Sequence, residues 1–280
     1  MSLPLLLPLA LVAGPATLIA GSLALAPRWR QWRRERLRRQ PFPPAWRTIL
    51  RRRVPLYRRL PVPLQAQLRA HIQVFLAEKR FIGCAGQRIT DEVRVTVAAQ
   101  ACLLLLNRPA HYFEALRQIL VYPGAFVVDR AAPLPGGVLQ EQRRALAGES
   151  WQQGQVILSW QDTLEGAADC TDGRNVVLHE FAHQLDQETG VANGTPHLGS
   201  RPRHARWQQV MQAEFAALQW RQQAGQDCLI GAYAAQNPAE FFAVVTELFF
   251  ERPQALAGEF PGLYGEFADY YGVDPRGWHG

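Results

Sequence analysis

Two histidines four residues apart, with a glutamate beside the first, stand in the stretch Val176 to Asp186, which reads Val-Val-Leu-His-Glu-Phe-Ala-His-Gln-Leu-Asp. On a helix His179 and His183 share one face, so two imidazole nitrogens converge on one point. This is the H-E-x-x-H arrangement, in which the histidines hold Zn²⁺ in its open, catalytic form and Glu180 takes a proton from the water the metal activates. One zinc per chain is therefore the expected cofactor. The bland alternative is a pair of satisfied core histidines. The flanks Val176, Val177, Leu178, Phe181, Ala182 and Leu185 are apolar and no Gly or Pro interrupts them, so the helix is expected to be buried. Burying two imidazoles and a carboxylate without partners is expensive, which favours the metal.

A catalytic zinc needs a third protein ligand. The metzincin extension requires a glycine at position 186 and a histidine at position 189, where this chain has Asp186 and Thr189, so that class is excluded. A glutamate on the following helix would have to be Glu214. Glu240 is better placed, in Asn237-Pro238-Ala239-Glu240-Phe241-Phe242: Asn237 can cap a helix that begins at Pro238, which sets Glu240 in its first turn. Glu240 would equally complete an Asn-x-x-Glu capping box. Glu247, one heptad on, is the fallback ligand. Asp186, seven residues after His179, lies on the same face and either orients a ligand histidine or is simply solvated.

The elements that must position these groups follow from periodicity. Leu68, Ile72, Phe75 and Leu76 recur at helical spacing from Leu64 to Lys79. A second helix is expected from Asp91 to Leu106 with Thr90 as its cap, and a short third from His111 to Gln118. His71 and His111 are isolated in these elements and read as packing or surface residues. Ile119 to Val128, broken at Pro123 and Gly124, is β-like, as is Gln155 to Trp160. The latter strand, just ahead of the metal helix, either offers its edge to an extended peptide or lies within a sheet. A helix from Arg203 to Gln222, amphipathic or largely buried, and another from Pro238 to Phe250 complete the order. Helices, a few strands, then helices give an α+β fold with a small sheet and one principal catalytic domain.

The chain has 280 residues, 48% of them hydrophobic, and a net charge of +6. That charge does not indicate nucleic acid. Thirteen arginines and one acid, Glu35, lie between Arg28 and Arg59, so the remainder is mildly acidic. Ahead of this block, Leu3 to Ala26 carries no ionisable side chain and is long enough to cross a bilayer. The positive-inside rule then predicts a single-pass inner-membrane anchor over residues 1–27 with a cytoplasmic body, and arginines able to meet anionic head groups. The alternatives are a leader that is removed, or a start codon placed too early, which would leave a soluble cytoplasmic protein. Six prolines from Pro41 to Pro63 predict an irregular juxtamembrane linker over 28–60, followed by the metallopeptidase domain over 61–280, divided into a helical part (61–130) and a catalytic part (131–280). Cys84, Cys102, Cys170 and Cys228 are scattered and are expected as free thiols.

Several segments together resemble one family. Leu120-Val121-Tyr122-Pro123 with Phe126-Val127-Val128-Asp129, Ser150-Trp151-Gln152-Gln153-Gly154, the motif helix, and Tyr233-Ala234-Ala235 with Asn237-Pro238-Ala239-Glu240 are similar to the Mlc titration factor A family, zinc-dependent peptidases of the gluzincin type. The resemblance runs in order over about residues 61 to 270. More remotely the chain resembles the catalytic domain of anthrax lethal factor. The resemblance implies a zincin-like domain in which His179, His183 and Glu240 hold the zinc, Glu180 is the general base and Tyr233 reaches the developing oxyanion. It implies a peptide or protein substrate, with aminopeptidase-like action among the options. It also implies an alternative role, a regulatory module that binds the transcriptional repressor Mlc. The arginine block and apolar amino terminus depart from the best-known members and put that partner in question.

Overall fold

The computed structural model describes residues 25–109, 111–133, 139–146, 148–151 and 154–278. The apolar run Leu3 to Ala26, expected as a membrane anchor, falls outside them except for its last two residues. Among the described residues no helix is long and apolar enough to cross a membrane.

The chain divides into two compact units after Pro41. In the first, α1 (residues 25–38) is helical, with Glu35 paired to Arg38 at 3.6 Å and Arg39 at 3.0 Å. The second begins at Phe42, well before the expected residue 61, and the stretch expected as irregular linker is helical. The prolines open helices instead of breaking them: Pro44 starts α2 (Pro44–Arg53), Pro55 starts α3 (Pro55–Arg59), and Pro63 lies in the first turn of α4 (Val62–Glu78). A first-turn amide has no intrahelical partner, so proline costs nothing there. Leu50, Val54, Leu56, Tyr57 and Leu60 are buried. Trp46 donates its indole N–H to Asp91, and Arg53 meets Glu92, which ties α2 to α5 (Asp91–Leu103).

As expected, the Thr90 hydroxyl caps α5 by accepting from the amide of Val93. The helix expected over His111 to Gln118 does not form. Lys79 reaches in from the end of α4 and donates to the carbonyls of Phe113 and Leu116, while Tyr112 and Phe113 take left-handed conformations that bury their rings. His71 is a packing residue, its Nδ1 2.7 Å from the Tyr112 hydroxyl.

A four-stranded sheet follows, in the order β1 (Arg80–Gly83), β2 (Gln118–Tyr122), β6 (Gln155–Ser159), β5 (Gly148–Trp151). The first three are parallel, and β5 runs antiparallel on β6. Strand β6 is therefore interior and cannot offer an edge; the edges belong to β1 and, on the side of β6, to β5. Pairing of β2 with β6 also joins the two parts expected to divide near residue 130. Strands β3 (Phe126–Pro133) and β4 (Leu139–Leu146) form a separate antiparallel hairpin.

Six helices complete the unit: α6 (Trp160–Ala168), α7 (Val176–Asp186), α8 (Arg201–Gln223), α9 (Pro238–Glu251), α10 (Pro253–Glu259) and α11 (Pro261–Tyr271). The fold is mostly helical α+β. Two aromatic clusters fix the helices that carry the motif residues. Behind α7, Phe181 packs on Phe75 and Phe113 with ring centroids 5.7 and 4.8 Å away. Behind α9, Phe242 packs on Trp207 of α8 and Phe267 of α11. Each buried aromatic ring contributes about 2–3 kcal/mol of apolar transfer. Only Trp207, Met211 and Leu218 of α8 are buried, so that helix is not largely buried.

Candidate metal centre

Two asparagines start the two helices that form the site. Asn175 caps α7 by accepting from the amide of Leu178 at 3.0 Å, which puts His179 and His183 on successive turns of one face. Asn237 caps α9 by accepting from the amide of Glu240 at 3.0 Å, as its sequence predicts. The carboxylate of Glu240 is not spent on a reciprocal capping box; its Oε2 stands 3.0 Å from His179 Nε2.

The three side chains form a triangle. His179 Nε2 and His183 Nε2 are 3.2 Å apart, and Glu240 Oε2 is 3.0 Å from the first and 3.6 Å from the second. Ligands about 2.0–2.1 Å from a tetrahedral zinc lie about 3.4 Å from one another, so these donors have the type and the separation of an open three-ligand site. Among the described residues His179, His183 and Glu240 are the cluster able to hold a metal ion. Glu214, on α8, is not part of it.

Glu247, the fallback ligand, has a different position. Its Oε1 lies 2.8 Å from His179 Nδ1, on the far side of the ring from the triangle, and its Oε2 accepts from the backbone amide of Asn175 at 2.5 Å. A carboxylate behind a ligand imidazole fixes the tautomer and turns Nε2 toward the metal. That is the role the sequence reading offered for Asp186. The Asp186 carboxylate instead takes the amides of Gly194 and Thr195, each at 2.8 Å. Gly194 lies against the start of α9, where an added Cβ would stand 2.4 Å from the Pro238 carbonyl oxygen. Asp186 thus sets the loop that packs against the start of the Glu240 helix.

The electrostatics suit a cation. Burial disfavours charge on His179, yet Glu247, Glu240 and Glu180 outweigh it, and its pKa is raised well above the ordinary value. Burial likewise opposes charge on Glu240, but hydrogen bonds from His179 and His183 hold it below the usual carboxylate range. Three carboxylates around two imidazoles thus favour positive charge at the triangle.

Glu180 is buried and faces β5. Any Cβ at Gly148, the first residue of that strand, would stand 2.7 Å from Glu180 Oε1 and 2.6 Å from Val176, so only glycine lets the edge strand lie this close. Tyr233, on a 3₁₀ turn (Ala232–Ala235), is half exposed with its ring centroid 5.9 Å from that of His179. Burial and then the Glu240 carboxylate push its phenol pKa up, so it is a proton donor across the neutral range.

The model of the glucose-regulated metallo-peptidase M90 family matches residues 29–272. The chain belongs to that family. It is 42% identical to an uncharacterized protein of Synechocystis sp. over 274 residues, 96% of this chain and 98% of that one. It is also 35% identical to Mlc titration factor A of Salmonella typhi and of Salmonella agona over 225 residues, 79% of this chain and 84% of each relative. Membership makes the chain metallopeptidase-like and implies a metal.

Three residues that structure this site went unread in the sequence. Asn175 precedes the apolar run and carried an ordinary cap signal. Glu251 follows Glu247 by four in an otherwise Phe-rich helix, a stripe that marks a polar face inside a core. Gly148 carried no signal, because its need is set by a contact with α7 across the sheet.

Proposed function

We propose that this chain is a zinc-dependent peptidase of the gluzincin type, with His179, His183 and Glu240 as ligands. The observation that carries the proposal is the triangle of two imidazole nitrogens and one carboxylate oxygen, with Glu247 behind His179. A zinc ion there supplies Lewis acidity for a water and for a substrate carbonyl. Glu180, one residue after His179 and pressed toward β5, accepts the proton of the attacking water and returns it to the leaving amine. The Tyr233 hydroxyl donates a hydrogen bond to the oxyanion that develops on the carbonyl carbon. The free edge of β5 gives an extended peptide main-chain partners beside Glu180. No acyl-enzyme is required. Residues 1–27, in this reading, anchor the body to the inner membrane on its cytoplasmic side.

A second reading rests on the name of the Salmonella relatives, Mlc titration factor A: the chain binds a repressor of the Mlc kind and the metal site is secondary. Glu180→Gln separates the two. Under the peptidase reading, hydrolysis of peptide substrates falls by about 10³-fold, within the usual worth of a general base, while bound zinc is unchanged. Retained hydrolysis contradicts the role given to Glu180. Repressor binding with no hydrolysis by the unaltered chain favours the second reading.

A further inference from the structure

A second cavity, of about 270 Å³, shares no lining residue with the cleft that contains His179, Glu180, Tyr233 and Glu247. It lies where α3, the end of α9, the start of α10 and the turn Pro275–Gly277 meet. Leu56, Pro253, Pro275 and Trp278 give it buried apolar walls, and Arg59 and Glu251 line it as well. Drug-sized ligands occupy about 300–1,000 Å³, so this space suits something smaller.

Glu251 is the part of this wall that lacks a partner. The residue is only 5% exposed. Its Oε1 accepts from the Asn175 side chain at 2.9 Å, while its Oε2 is buried with no hydrogen-bond partner. Buried polar atoms are nearly always paired, so an orphan on a cavity wall marks a place for a ligand atom. The titratable and charged groups near Glu251 are Glu247 on the same helix, Asp172 and the Cys170 thiol on the loop ahead of α7, and Arg59 of the same cavity. Burial and the two neighbouring acids keep the Glu251 carboxyl protonated through the neutral range. With Oε1 accepting from Asn175, the proton belongs on Oε2, which is then a donor without an acceptor. Arg59 adds further donors. Among the described residues it forms no ion pair, and its charge acts on Asp169 and Cys170 from beyond contact distance.

We propose that this cavity binds a small carboxylate: its oxygens accept from Glu251 Oε2–H and from the Arg59 guanidinium, and a short hydrocarbon tail lies on Leu56, Pro253, Pro275 and Trp278. A guanidinium fork matches a carboxylate and repels a cation. One unpaired guanidinium also balances one negative charge, and the nearby Glu247 and Asp172 resist the second charge of a phosphate. The site goes beyond the peptidase reading and does not depend on it. The carboxylate has two sources, a simple organic acid or a free amino acid.

Calorimetric titration of the full natural chain with 4-methylpentanoate, its neutral amide and leucine tests the site. At pH 7 the acid is expected to bind at least about 10-fold tighter than the amide, and Arg59→Gln should remove that advantage. Glu251→Gln offers an amide N–H in place of the O–H, so its affinity for the acid should stay within about 3-fold. Raising the pH from about 7 to 10 should weaken binding to the natural chain about 10-fold, as the Glu251 carboxyl ionises, and leave Glu251→Gln unchanged. Leucine bound as tightly as the acid assigns the source to a free amino acid; leucine bound much more weakly assigns it to an organic acid. No binding of the acid, equal binding of acid and amide, or parallel pH profiles for the natural chain and Glu251→Gln overturns the inference. So does an affinity untouched by Arg59→Gln, which is the result expected if the acid sits at the metal triangle instead.

Discussion

Helices α7 and α9 enter the site in the same way, through an asparagine cap a few residues ahead of a metal-facing side chain, yet the two caps sit in opposite surroundings. Asn175 is buried, and α9 surrounds it: its amide N–H goes to Glu247, its side-chain NH₂ to Glu251 at 2.9 Å and to the Gly166 carbonyl at 3.2 Å. Asn237 is exposed and makes a local cap. The difference shows which part of the cluster is rigid. The imidazoles belong to a helix start braced from behind by two carboxylates, whereas Glu240 comes from a helix start whose cap is exposed.

Asn175→Ala should cost the most stability. It removes the cap and leaves Glu251 and the Gly166 carbonyl short of a donor in the interior, so a loss of about 3 kcal/mol is expected in denaturant unfolding. A loss below about 0.5 kcal/mol would mean that the bracing does not matter.

Glu251 sharpens the same contrast through pH. Burial, with the Glu247 charge adding to it, pushes its carboxyl up from 4.5 to about 9, and its Oε2 has no hydrogen-bond partner. A carboxyl whose folded pKa is raised gives its full contribution below pH 4.5 and loses it as pH rises through 9. Glu251→Gln keeps an acceptor for Asn175 without ionising. The variant should match the natural chain near pH 4 and exceed it by several kcal/mol at pH 8, read from thermal unfolding across that range. Parallel curves would contradict the buried-acid account.

Asn237→Ala should cost least, at most about 1 kcal/mol, since water can replace an exposed cap. An effect as large as that of Asn175→Ala would erase the contrast between the two helix starts.

The legible part of the fold was what neighbouring residues dictate. His179, Glu180 and His183 lie within one turn and a half, and Thr90 and Asn237 announce their helices locally. Reading went wrong where a distant group overrode local pattern. Prolines from Pro44 to Pro63 suggested a linker, but each falls where a helix begins and the apolar residues between them had a core to enter. Lys79 captured the carbonyls of the segment after His111 and kept it from coiling. The orienting role expected for Asp186 fell to Glu247, because heptad spacing gives a face of a helix and says nothing of what packs against it. For β6, sequence shows a strand but not its neighbours, and the edge passed to β5, whose four residues carry no period of their own.

The most direct test of the metal centre is the zinc content and affinity of the purified chain beside its Glu240→Ala and Glu247→Gln variants. The triangle predicts one zinc per natural chain, loss of it in Glu240→Ala, and full occupancy with affinity weakened about 10–100-fold in Glu247→Gln, since a carboxylate behind a ligand tunes the site without holding the metal. No zinc in the natural chain after reconstitution, or zinc lost in Glu247→Gln and kept in Glu240→Ala, would contradict the assignment.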